Sequence, residues 1–182
     1  MVNPGPSDEQ IIASTREWVE KFVIGLNLCP FAGPVHRENR IRYVVSAAKL
    51  TAELRADLAA ELKLLETSDP AAVETTLIIH PRIYGDFLAY NDFLDVADEL
   101  LEELGYVGTF QIASFHPCYQ FADTDPDDVT NRTNQSPYPM LHLLREDSVE
   151  KALEEYPDAE QIPQRNIETM RKLGSGEPPL QA

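Results

Sequence analysis

A chain of 182 residues with 43% hydrophobic content suits one packed domain, expected over residues 7–173 with flexible tails at 1–6 and 174–182. Fifteen Lys and Arg against thirty-one Asp and Glu leave a formal charge of −16, which repels phosphodiester backbones and anionic lipid, so no nucleic-acid or membrane partner is expected. The chain opens without a basic, then apolar, leader, and nowhere holds an apolar run of membrane-spanning length. Cys29 and Cys118 are far apart with no C-x-x-C pair, so a reduced cytoplasmic protein without a disulfide framework or zinc ribbon is expected.

Ser7 followed by Gln10 reads as a capping box, and Ile11, Thr15, Trp18, Phe22 and Leu26 form one helical stripe that must stop near residues 27–28 because of Pro30. Residues 29–39 read as loop. Residues 40–46 alternate and are β-branched at Val44 and Val45, predicting a strand, and residues 47–66 carry Leu50, Leu54, Leu58, Leu62 and Leu65 at helical spacing. Residues 73–80 form a second strand whose Leu77, Ile78 and Ile79 run too continuously for an exposed face.

Asp86 caps a third helix, with Phe87, Tyr90, Phe93, Leu94, Ala97, Leu100, Leu101 and Leu104 on its dry side, ended by Gly105. Residues 109–115 and 140–145 are the last two strands, separated by a long connection over 118–139. A short acidic helix from Asp147 or Ser148 and a final helix over 160–173 complete the order. The fold class is an α/β (α+β) two-layer sandwich, a four-stranded mixed sheet packed by amphipathic helices, in which the first and third helices should cover one sheet face.

Three runs carry a resemblance: NLCPFA at 27–32, FQIASFHP at 110–117 and TNQSPYPMLHLLRE at 133–146. Together and in this order they resemble the uncharacterised bacterial and plant family catalogued as domain of unknown function 1415, over most of the chain. The resemblance implies a small soluble domain with no assigned activity. Two positions depart from the pattern expected of the family, Gln135 standing in place of an Arg and Asp123 in place of a Gly, and the first weakens any anion-binding role for that position.

Function must then come from chemistry. His80, His116 and His142 lie in or at the ends of strands, where neighbouring strands can converge, and neutral imidazoles suit zinc, iron or copper; whether they converge depends on register. No H-x-H or H-E-x-x-H spacing supports them. His80 and His116 each precede a proline that turns the chain outward at the sheet rim, and His116, opening onto the long loop, is the candidate acid or base, with His142 and Tyr138 as further catalytic candidates. His142, between leucines, needs a partner if buried.

Asn131, Arg132, Thr133, Asn134, Ser136 and Tyr138 crowd hydrogen-bonding side chains just before a buried strand. With Arg145, Asn131, Thr133, Asn134 and Ser136 are the ligand-binding candidates, although such residues equally satisfy their own loop. Asp123, Asp125, Asp127 and Asp128 start like a calcium loop but lack its Gly and its closing Glu. Cys29 is a thiol or haem-ligand alternative, opposed by its place after a helix C-terminus. Three readings stay open: a small enzyme acting on a small polar molecule by His-based acid/base or metal-assisted chemistry; a non-catalytic ligand- or protein-binding domain; and a thiol or haem protein centred on Cys29.

Overall fold

The computed structural model describes residues 5–156 and 158–174, so the expected flexible tails lie outside the described residues except at positions 5, 6 and 174. Gly174 is the last residue of a helix rather than part of a tail. The first helix, α1 (Asp8–Trp18), starts as the capping box dictates. The Ser7 hydroxyl accepts the Gln10 amide at 3.3 Å, and the Gln10 carboxamide accepts the Ser7 amide at 2.8 Å. It widens into a π coil over Val19–Ile24, closed by a bond from the Gly25 amide to the Glu20 carbonyl at 3.0 Å. A Cβ on Gly25 would sit 2.3 Å from the Lys21 oxygen, so only glycine fits there.

Residues 29–39 are not all loop: α2 (Ala32–Arg37) forms a short helix. Pro34 is tolerated because it falls in the first turn, where a backbone N–H has no intrahelical acceptor to lose. The next strand, β1 (Ile41–Val45), leads into α3 (Thr51–Thr67), which starts four residues later than expected because the Glu53 carboxylate caps the amides of Lys49 and Leu50 at 2.8 and 3.1 Å. Then come β2 (Thr75–Ile79) and α4 (Phe87–Glu103), capped by Asp86 accepting the Ala89 amide at 3.0 Å. Gly105 and Gly108, at φ of 71° and 79°, turn the chain into β3 (Phe110–Phe115). A 3₁₀ turn over Val129–Thr133 interrupts the long connection, followed by β4 (Met140–Arg145), α5 (Glu146–Glu155) and α6 (Ile162–Gly174).

The four strands form one mixed sheet in the order β1-β2-β4-β3. Strands β1 and β2 pair parallel across the α3 crossover, and β4 inserts antiparallel between β2 and β3. The two central strands are the most buried, and the polar Arg42 and Gln111 fall on the edges. On the front face Ile78, Leu141, Leu143 and Phe110 meet Leu54, Leu58, Leu62 and Leu65 of α3 and Tyr90, Phe93, Ala97 and Leu100 of α4. On the back face Leu77, Ile79 and Met140 meet Ile11 and Val19 of the first helix. The α/β sandwich is therefore the sheet with its α3/α4 layer, and the expectation that the first and third helices share a face is corrected. Strand alternation lets β2 and β4 present apolar side chains on both sides, and each helix takes a different one.

Candidate functional site

Alternation along the strands decides the fate of the histidines. His80 and His116 follow β2 and β3 directly, lie at the same end of the sheet on the front face, and are both 0% exposed. His142 pairs with Leu77 and Ala113 and points to the back face. The anticipated zinc or iron site of His80, His116 and His142 therefore does not assemble. Among the described residues no group of three His, Cys, Asp or Glu comes together to hold a metal.

Tyr90 stands between the two front-face histidines, its ring 5.7 Å from that of His80 and 5.1 Å from that of His116. Its hydroxyl donates to the Met140 carbonyl at 2.7 Å and accepts the Phe115 amide at 3.1 Å, wedged between two residues that are register partners on β4 and β3. His116 is locked at both nitrogens: Nε2 donates to the Tyr84 carbonyl at 3.0 Å and Nδ1 accepts the Cys118 amide at 3.0 Å. His80 donates from Nδ1 to the Ile83 carbonyl at 3.2 Å, and its Nε2 is buried without a partner. Burial drives both imidazoles toward neutrality, lowering His116 and pushing His80 down to about 4.

The loop before β4 mostly satisfies itself. Asn131 is buried, its Oδ1 accepting from the Phe121 amide at 3.0 Å and the Thr124 hydroxyl at 2.8 Å, its Nδ2 donating to the Asp125 carbonyl at 2.9 Å. The Ser136 hydroxyl donates to the Tyr138 carbonyl at 2.7 Å, and Tyr138 packs against the back-face core. The His116 and Ser136 amides bond to the Asn134 and His116 carbonyls, and Asn134 Nδ2 reaches the Ser114 carbonyl at 3.2 Å, so the loop straps the end of edge strand β3. Arg145 is on the opposite side of the molecule's sheet from Tyr138 and caps α3. Its Nη2 is within 2.7, 3.0 and 3.1 Å of the Leu65, Ser68 and Val73 carbonyls, a cation at a helix C-terminus.

Thr133 and Asn134, by contrast, open onto a cleft of about 350 Å³ between the Val129–Thr133 turn and α6. Phe121, Ile162, Pro163 and Ile167 supply its apolar walls, and Thr124, Thr130, Thr133, Asn134 and Asn166 its polar ones. Asn166 donates from Nδ2 to the Leu28 carbonyl at 2.9 Å, and its Oδ1 is buried without a partner. The α6 residues were invisible as site residues in the sequence, where they read only as one more amphipathic helix.

A family model described as protein of unknown function (DUF1415) matches residues 10–178, nearly the whole chain. The chain belongs to the DUF1415 family. A comparison with curated proteins returns no match, nor does one with solved structures. In this DUF1415 protein the two cysteines are free thiols. Cys29 is half-buried just before α2, and burial pushes its thiol up, outweighing the Phe31 and Ala32 amides that face it. His36, the nearest cation candidate for it in sequence, instead pairs with Glu20 at 3.2 Å. No helix among the described residues is long and apolar enough to cross a membrane.

Proposed function

We propose that this protein is a small-molecule-binding domain whose ligand occupies the cleft between the Val129–Thr133 turn and α6. The observation that carries this reading is the cleft's lining, four apolar side chains facing five neutral polar ones with no charged group among them. Its volume of about 350 Å³ is within the range of small-ligand sites. The absence of charge selects a neutral ligand.

The hydrogen-bond inventory refines the choice. The hydroxyl protons of Thr124, Thr130 and Thr133 are already donated within the loop, to Phe121 or Asn131, to Asp128 and to Thr130 respectively. Their oxygens are left as acceptors, so the ligand presents an O–H or N–H donor on an apolar body. Acid/base chemistry at His116 draws no support from a ring whose two nitrogens are both bonded to backbone groups.

The test uses cyclohexanol and benzyl alcohol as probes, with methyl resonances of Ile162 and Ile167 as reporters. Saturable shifts at both, with the Ile162 shift abolished in Ile167→Trp, which fills the cleft, support the reading. Shifts that do not saturate, or an Ile162 shift that persists unchanged in a folded Ile167→Trp variant, overturn it.

A further inference from the structure

The back face holds the one strand histidine whose free nitrogen is not sealed. His142 Nε2 lies 2.8 Å from the Thr75 hydroxyl oxygen, and that hydroxyl lies 2.5 Å from the Leu143 carbonyl oxygen. The carbonyl can only accept, so the threonine must give it its single proton. The hydroxyl oxygen is then left to accept from the imidazole, which fixes His142 as the Nε2–H tautomer. Its Nδ1 lone pair has no hydrogen-bond partner among the described residues. His142 keeps partial contact with solvent, and burial of the ring pushes its imidazole down to about 4.

The surroundings specify what would fit. Ala113 stands opposite His142 in the register, and the Phe115 ring lies 6.2 Å away. Phe115 in turn meets the ring of Trp18 edge-on at 5.3 Å, and the Trp18 indole is held by a bond from Nε1 to the Gln135 carbonyl at 3.1 Å. Ala113 presents only a methyl group beside the imidazole, and the Phe115–Trp18 pair supplies aromatic surface next to it. Along β3 and β4, Gln111, Ala113, Phe115, Met140, His142 and Leu144 share this face, and none carries a charge at neutral pH. His80 and His116 differ on each count: they lie on the other face, one with its free nitrogen at zero exposure and the other with none free.

We propose that the Thr75–His142 pair on the back of the sheet is a second binding site, in which Nδ1 accepts a hydrogen bond from the O–H or N–H of a neutral aromatic ligand seated against Phe115. Thr75 is a positioning residue, since it acts by holding the tautomer. The site is independent of the α6 cleft and would survive if that reading failed.

Phenol is the probe, and two-bond ¹H–¹⁵N spectra of the imidazoles, which report the tautomer of each ring, are the readout. The wild-type protein should show His142 as Nε2–H, and phenol should shift its Nδ1 saturably while leaving His80 and His116 in place. His142→Gln should weaken binding about tenfold, the loss of one good hydrogen bond. Thr75→Val should mix the tautomers and weaken binding several-fold, with Thr75→Ser restoring both, a pattern that a purely structural threonine would not give. An Nδ1–H tautomer in the wild type, a shift confined to the Ile162 and Ile167 methyls, or equal phenol response in wild type and a folded His142→Gln variant would overturn the proposal. Should His142→Gln fail to fold, the tautomer and the Thr75 series decide alone.

Discussion

Replacing Tyr90 by Phe removes one oxygen atom from the fully buried centre of the molecule and leaves the ring stacks with His80 and His116 in place. That oxygen satisfies two backbone groups at once, the Met140 carbonyl at 2.7 Å and the Phe115 amide at 3.1 Å. These groups belong to register partners held apart by the hydroxyl, so its loss leaves a donor and an acceptor facing each other across a gap. A buried unsatisfied group costs about 1–3 kcal/mol, so two of them, partly relieved by relaxation of the strands, should cost about 2–4 kcal/mol. Urea unfolding should show a lowered midpoint with an unchanged slope, and hydrogen exchange at the Phe115 amide should accelerate. A Tyr90→Phe variant within about 0.5 kcal/mol of wild type, with Phe115 equally protected, would refute the wedge. The strands would then pair directly, and the hydroxyl would be a bystander.

Three further outcomes follow from the same geometry. His80 is sealed as a neutral ring, lowered from 6.5 to about 4, so the folded state binds fewer protons than the unfolded chain between those values. Its contribution is complete above about pH 6.5 and is lost as pH falls toward 4, costing about 3 kcal/mol over that window, with His142 acting in the same direction; unfolding midpoints that stay flat from pH 7 to 4.5 would contradict this. Arg145→Leu strips the cation from the Leu65, Ser68 and Val73 carbonyls and should lower stability by about 3 kcal/mol, read by thermal denaturation, whereas a ligand-binding arginine could be removed at little cost to folding. A thiol-disulfide reagent should modify exposed Cys118 quickly and half-buried Cys29 slowly; the reverse order would revive Cys29 as a reactive thiol.

The amino-acid order alone determined the long helices and the four strands. Ser7, Gln10 and Asp86 specify helix starts through bonds to residues three positions away, and the stripes of α3 and α4 and the run Leu77, Ile78, Ile79 announce buried faces, because capping and periodicity are local. That His142 would need a partner was also legible, since a half-buried imidazole between leucines cannot remain unsatisfied at both nitrogens. Thr75 as that partner was not, because it lies 67 positions away and meets His142 only through the β2–β4 register. The same holds for Tyr90 in the β3–β4 ladder and for Asn166 and Ile167 beside the loop. The question the sequence could pose but not answer was whether three strand histidines share a face. One residue of register moves a side chain from one side of a sheet to the other, and only tertiary pairing sets that register, sending His142 to the back face and His80 and His116 to the front.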